Sequence, residues 1–280
     1  MRPSRRAFLF SSVAAAASVP SYGKWLESGW FEVTRKRIPL RGLPAPLRLL
    51  HLSDLHAGHD TPFSSVEHAL ELGLAESPDL ACLTGDFITA GLLRDPAAYT
   101  GVLKGLAKSI PAFASFGNHD GGRWTSSEGH PLPLSAMRRV IEAAGIACLH
   151  NQTAVAGPPG RSVNLVGLGD LWANDLDPGA AFKDAAAGSP TIVLSHNPDT
   201  VQGLLRQPWE LLLAGHTHGG QVVIPVAGYA PYVPVRDRRF LRGLCPVQGR
   251  HVHVTRGVGA ILGIRLNCRP EVSLLELVPA

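Results

Sequence analysis

From Leu47 onward, short apolar runs alternate with longer amphipathic ones, and nearly every apolar run stops at a polar cluster. Strand-like runs are Leu47 to Leu52, Leu80 to Thr84, Ala112 to Phe116, Ile146 to Leu149, Val163 to Leu168, Ile192 to Leu194 and Leu211 to Ala214. Between them, Ser64 to Ala75 sets Val66, Leu70 and Leu74 at four-residue spacing with Ser64 or Ser65 able to cap the start, which predicts a helix. Ala97 to Lys108 and Leu134 to Ala144 carry the same pattern. Beyond Gln221 the chain turns strand-rich, and Arg239 to Cys245, His251 to Thr255 and Ser273 to Leu277 are expected to form an antiparallel set. The mixture predicts an α/β (α+β) architecture of sheets covered by helices, with polar residues on loops at strand ends, where ligands bind in such folds.

Composition narrows this picture only a little. The 280 residues carry 23 Pro and 30 Gly, which are spread between the apolar runs and mark no linker, so one large domain is expected. A formal charge of +4 and a pI near 9.0 suit an anionic substrate or an anionic membrane surface and identify neither. Nucleic acid is not expected as the main partner. Cys82, Cys148, Cys245 and Cys268 form no C-x-x-C pair, which argues against a zinc knuckle or a thioredoxin-like motif and favours buried free thiols.

The first thirty residues look like an address. Ser4-Arg5-Arg6-Ala7-Phe8-Leu9-Phe10 leads into an Ala/Ser/Val-rich run ending at Val19, giving a basic start, an apolar middle and small residues. The adjacent arginines before Phe-Leu resemble a twin-arginine export signal, read by the machinery that carries folded cargo. Residues 1–30 are therefore expected to be a signal or N-terminal anchor and residues 31–280 the folded domain, placed in the periplasm or on the outer face of the cytoplasmic membrane. Cleavage after Ala17 and retention as an anchor are both compatible with the pattern, and an N-terminal helix of a soluble protein is the alternative. Trp25, Trp30 and Phe31 either sit at a membrane interface or begin the core.

The chemistry lies in five clusters at strand ends: Ser53-Asp54-Leu55-His56, Gly85-Asp86, Gly117-Asn118-His119-Asp120, Ser195-His196-Asn197-Pro198 and Gly215-His216-Thr217-His218. Alternation in an extended segment would put Asp54 with His56, and His216 with His218, on one side. Glycine before Asp86, Asn118 and His216 would let the backbone turn tightly. Carboxylate, amide and imidazole donors suit Mn, Fe or Zn at a hydrolytic site. One such cluster is weak evidence, because a lone D-x-H is common; five in succession are much stronger.

The ordered set D-x-H, G-D, G-N-H-D, H and G-H-x-H resembles the signature of calcineurin-like metallophosphoesterases. With Leu52 to His56, Ser195 to Asp199, Gly215 to Gln221 and Arg256 to Gly259, it is similar to a bacterial branch of exported or membrane-associated enzymes that act on phosphodiesters or on UDP-diacylglucosamine. The resemblance implies a four-layer αββα sandwich of two mixed β-sheets flanked by helices. It assigns Asp54, His56 and His218 to one divalent metal ion, Asn118, His196 and His216 to a second, and Asp86 to a bridge between them. It further implies attack on phosphorus by a metal-bridging hydroxide, with His119 acting near the leaving group. Asp120 either orients the His119 ring or caps the following loop. The stretch after Gly259 lacks a proline that the branch often carries.

Loops 121–133, with Arg123, Trp124 and His130, and 225–242, with Tyr229, Tyr232, Arg236, Arg238, Arg239 and Arg242, are the expected substrate contacts. His59 approaches the site or faces solvent, and His51, His68, His150, His251 and His253 are assigned structural roles. The expected substrate is a phosphodiester or pyrophosphate, including one linked to an envelope lipid or cell-wall intermediate, with peripheral membrane contact. Two other readings compete: a non-catalytic metal- or phosphate-binding scaffold, and a metal-dependent amidohydrolase, disfavoured because its first cluster is usually His-x-His.

Overall fold

The structure is a computed structural model that describes residues 21–89, 91, 95–225 and 228–280. Arg5, Arg6 and the apolar run to Val19 lie outside the described residues.

Among the described residues, twelve strands form two six-stranded sheets. The first holds β1 (Glu32–Leu40), β2 (Leu47–Leu52), β3 (Leu80–Thr84), β4 (Ala112–Ser115), β5 (Ala147–Cys148) and β12 (Glu271–Pro279), in the order β1-β12-β2-β3-β4-β5. The second holds β6 (Gln152–Ala156), β7 (Val163–Gly167), β8 (Thr191–Leu194), β9 (Leu211–Ala214), β10 (Gly243–Val247) and β11 (Arg250–Val254), in the order β10-β11-β9-β8-β7-β6. Both sheets are mixed: β2, β3, β4 and β5 run parallel, as do β7, β8, β9 and β11, while β12 is antiparallel to β2 and β10 to β11.

Period-two alternation explains the layers. In β2, Leu47 and Leu49 enter the core between the sheets, and Leu50 and Leu52 face the opposite way. In β9, Leu211 and Leu213 face inward, and Leu212 and Ala214 face outward. Helices α1 (Phe63–Ala75), α2 (Pro96–Ser109) and α3 (Leu134–Ala143) cover the first sheet through Val66, Leu70, Tyr99, Leu103, Met137 and Ile141. Among the described residues, only short pieces lie over the second sheet, α4 (Pro178–Phe182) and the 3₁₀ segment Pro198–Leu204, packed by Phe182, Val201, Leu204 and Trp209.

The strands of the last third do not make one antiparallel set. β10 and β11 pair with each other but join the second sheet, whereas β12 crosses to the first, between β1 and β2. Arg238–Leu241 is a 3₁₀ turn, so the strand expected from Arg239 starts at Gly243. Packing also reaches ahead of residue 31: Glu27 is buried and accepts the Cys268 N–H at 2.6 Å.

Candidate dinuclear metal site

The chemistry-bearing residues leave the C-terminal ends of β2, β3, β4, β8 and β9, where the ends of the two sheets meet. Extended alternation is not what assembles them. Asp54, His56, Asp86, His216 and His218 all lie in the left-handed region, with φ between 44° and 67°. Non-glycine residues there carry strain of about 1–3 kcal/mol each and persist only where the surroundings over-determine them. Backbone bonds do so here: the Asp54 and His56 N–H groups donate to the Gly85 and Asp86 carbonyls, and Val258 and Gly259 donate to Ser53 and Asp54.

The glycines act differently from expectation as well. Gly85 does use positive φ, at 87°. Gly117 has an ordinary φ of −105°, and what matters there is the missing side chain, because a Cβ would stand 2.2 Å from Asp86 Oδ1. A Cβ on Gly215 would likewise stand 2.1 Å from Asp54 Oδ2.

Two donor groups result. Asp54, His56 and His218 present ligand atoms within 4.8 Å of one another, and so do Asp86, His196 and His216. His56 Nε2 lies 3.1 Å from His218 Nε2, and Asp54 Oδ1 lies 3.4 Å from the latter. Asp86 Oδ2 stands between the groups, 3.1 Å from His196 Nε2 and 3.5 Å from His56 Nε2. Asn118 is buried, lines the same cavity, and has no hydrogen-bond partner on either side-chain atom.

These residues fit a pair of divalent cations. Burial lowers His56 and His218 to about 3 and His216 well below the usual imidazole value, which keeps their lone pairs available. Burial also works against a charged His196, but the adjacent Asp86 carboxylate overcomes it and holds that ring well above its ordinary value. Conversely, burial disfavours the Asp86 carboxylate, yet His196 and His119 hold it well below the usual range. Convergent imidazole nitrogens, two carboxylates and an unpartnered amide match borderline and hard cations; no thiolate takes part.

His119 borders the same cavity of about 370 Å³. Its Nδ1 is hydrogen-bonded to the Thr89 carbonyl, so its Nε2, 4.0 Å from Asp86 Oδ2, is the nitrogen turned toward the site. Asp120 does not orient that ring. Its carboxylate instead accepts the backbone N–H groups of Asp86 (2.9 Å), Phe87 (2.7 Å) and Gly117 (2.8 Å), tying the β3 and β4 loops together. Burial, reinforced by Asp86, pushes the Asp120 carboxyl up to about 8, but three convergent donors favour the carboxylate.

Two tryptophans frame the mouth. Trp124 packs 4.4 Å from the His119 ring, and Trp172, which the motifs did not single out, packs edge-on 4.2 Å from His216. Asp170 accepts the N–H groups of Trp172 and Ala173 and thereby fixes that turn. Arg265 is the other residue the sequence concealed. Fully buried, its guanidinium donates to the carbonyls of Arg256, Gly257, Gly259, His218 and Cys268, holding the last loops beneath Asp54.

Of the basic loop, Tyr232 and Pro234 line the cavity. Arg239 is instead paired with Asp237, and Arg238 stacks on Tyr229. His130 lines a smaller cleft beside His119 and Trp124, and His59 is exposed beside Asp60. Cys82, Cys148, Cys245 and Cys268 are free.

The comparisons agree with this geometry. A family profile described as calcineurin-like phosphoesterase matches residues 47–220, the segment that carries all seven proposed ligands. Phosphodiesterase YaeI of Escherichia coli is 42% identical over 278 residues, covering 98% of this chain and 99% of that protein. UDP-2,3-diacylglucosamine pyrophosphatase LpxG of Chlamydia trachomatis is 28% identical over 276 residues, covering 82% of this chain and 83% of that one. Among solved structures, the NAD nucleotidase of Haemophilus influenzae superposes with a TM-score of 0.50 at 14% identity, over 76% of this chain and 45% of that one, a likeness of fold. With two mixed sheets, ligand-bearing loops at their meeting ends and a profile match across most of the chain, the protein belongs to the calcineurin-like phosphoesterases and is a hydrolase of phosphoric ester bonds.

Proposed function

We propose that the chain hydrolyses a phosphodiester or pyrophosphate bond at a dinuclear centre, with Asp54, His56 and His218 holding one divalent cation, Asn118, His196 and His216 the other, and Asp86 shared. The observation that carries this reading is the position of Asp86 Oδ2, within 3.5 Å of a histidine nitrogen from each group. Bound cations of this kind supply Lewis acidity at the phosphoryl oxygens and lower the pKa of water. His119 presents Nε2 to the cavity and is placed to carry a proton at the leaving-group oxygen. Trp124 and Trp172 exclude water around the reacting phosphorus and contact the leaving group.

The test pairs metal content with turnover of bis(4-nitrophenyl) phosphate by the manganese-loaded protein. His119→Ala should keep two metals per chain and lose most turnover, whereas Asp86→Ala should lose both. Two retained metals in Asp86→Ala would remove the shared-ligand assignment. A wild-type chain that binds two metals and turns over no phosphodiester or pyrophosphate would instead favour the scaffold reading.

The same proposal extends to an exported enzyme acting on an envelope lipid or cell-wall intermediate. Its supports are the Arg5-Arg6 segment and the similarity to a pyrophosphatase of a diacylated sugar nucleotide. Replacing Arg5 and Arg6 together with lysine should leave the protein in the cytoplasmic fraction, since receptor-read signals depend on side-chain identity. Unchanged export of that variant would point to another route.

A further inference from the structure

Six cation–aromatic contacts occur among the described residues, and they fall into two kinds. Arg138, Arg239 and Arg250 lie over Phe116, Phe240 and Trp209, rings that are buried. Lys24, Arg269 and Arg238 lie over Trp25, Trp30 and Tyr229, rings that are 76%, 57% and 48% exposed. An exposed aromatic under a cation covers no core; it presents an apolar body and a positive head together to whatever lies outside.

The Lys24–Trp25 couple lines a cleft next to the catalytic cavity, and the Arg238–Tyr229 couple lies in the loop that gives that cavity Tyr232. Ile261 and Leu262 form one wall of the catalytic cavity, opposite Tyr232. The next residue, Gly263, lines a second cleft of about 540 Å³ whose other side is built by Lys24, Trp25 and Phe31. Leu262 and Tyr232 are 70% and 71% exposed. Toward Tyr229 the surface continues through Ile224, which is exposed and donates its N–H to the Tyr229 carbonyl. The chain enters here too, because Arg265 donates its N–H to the Gly23 carbonyl. The apolar run Ala7 to Val19 therefore precedes, in sequence, a segment fixed on this face. Asp60 and Asp237 are acids of the same region, one 3.9 Å from Lys24 and the other bonded to Arg239.

Exposed aromatics, each paired with a cation or bordering the catalytic cavity, match the boundary of an anionic bilayer, where rings settle among headgroups and basic side chains meet lipid phosphates. We propose that this face docks the protein peripherally on an anionic phospholipid bilayer, with Trp25, Leu262 and Tyr232 entering the headgroup boundary, so that the catalytic cavity opens onto the lipid surface. The choice of partner rests on the envelope reading above.

Local environment at defined positions tests it without reference to turnover. In the full chain carrying Cys245→Ser, where the three remaining cysteines are buried, a polarity-sensitive NBD label is placed at Trp25→Cys, at Leu262→Cys or at Val155→Cys. Val155 is 59% exposed and pairs with Asn164, at the end of β7 away from the metals, and so serves as the control. Vesicles of phosphatidylglycerol and phosphatidylethanolamine should shift the emission at 25 and 262 to the blue and raise it, with no change at 155. Pure phosphatidylcholine should give a weaker response. Vesicle-bound protein whose label at 262 stays in water would overturn the proposal, because the N-terminal segment alone would then hold the chain. A shift that grows with protein concentration without lipid would also overturn it, in favour of a second copy. Blue shifts at 25 and 262 in a protein inactive toward lipid-linked phosphodiesters would leave the docking face standing and remove the envelope substrate.

Discussion

At the scale of single residues, the site is organised by acceptors and backbone donors as much as by its ligands. Asp120 is the clearest case, since one carboxylate receives three N–H groups from both sides of the Asp86 loop. Asp120→Asn would set an NH₂ group against at least one of those donors and leave it buried without an acceptor. Such a loss costs about 1–3 kcal/mol. The variant is expected to show a lower urea midpoint and weaker metal retention while keeping its secondary structure. A midpoint equal to wild type would mean that the loop is held by other bonds. His119 depends on a similar detail, because the Thr89 carbonyl fixes which ring nitrogen faces substrate.

At the scale of elements, five strand ends deliver the ligands and two glycines let the loops close on each other. Gly117→Ala is the sharpest test of that closure. The added methyl would collide with Asp86 Oδ1 and with the Asp86 N–H at 2.6 Å, so the β3 and β4 loops must separate. Turnover should fall by more than tenfold with little change in the far-UV spectrum. Gly105→Ala, where nothing lies within 4 Å of the added atom, should leave turnover intact. Apolar runs and their polar terminations made the strands β2, β3, β4, β5, β7, β8, β9, β11 and β12, the three long helices and all five clusters legible in the sequence, though not the sheet that each late strand joins. The remainder was hidden for physical reasons. β1 is rich in charged residues because it is an edge strand, with Arg35, Lys36 and Arg37 directed to its exposed portion, so it lacks the apolar signature of a strand. β6 is an edge as well. Left-handed ligands cannot be read from residue type, because Asp and His take that conformation only when neighbours impose it. Trp172 and Arg265 acquire their roles from contacts with residues far away in the chain, and neither stands in a motif.

At the scale of the whole molecule, the two sheets share a buried polar contact. His51 of β2 and His253 of β11 bring their Nδ1 atoms to 2.9 Å, and His51 Nε2 reaches Thr84. Burial lowers His253 to about 4, with Glu271 drawing it upward and Lys36 downward, and burial together with His253 lowers His51 well below its usual value. Unfolded histidines bind a proton below about 6.5, whereas the native His253 resists one until about 4, so folding stability is intact above the first value and declines as the pH falls toward the second. For His253 the loss amounts to roughly 3 kcal/mol. The urea midpoint of the metal-free protein should therefore drop between about pH 7 and pH 4.5. His253→Asn should lessen that drop, with His51, His56, His216 and His218 supplying the rest through the same burial, and a parallel curve for the variant would assign the acid sensitivity to them alone.

The position of β12 has a consequence for biosynthesis. This strand is translated after the other eleven described strands, yet it lies between β1 and β2 and pairs with both. During synthesis β1 has no partner, while the parallel core of β2, β3 and β4 is already available for pairing. Thr255 to Gly259, which buttress Asp54, are translated after every proposed ligand. Completion of the first sheet thus runs outward from its middle strands and waits for β12. The ligand loops reach their final strained form only once Thr255 to Gly259 and β12 have joined them, and a nascent chain without that stretch has the ligands without the frame that aims them.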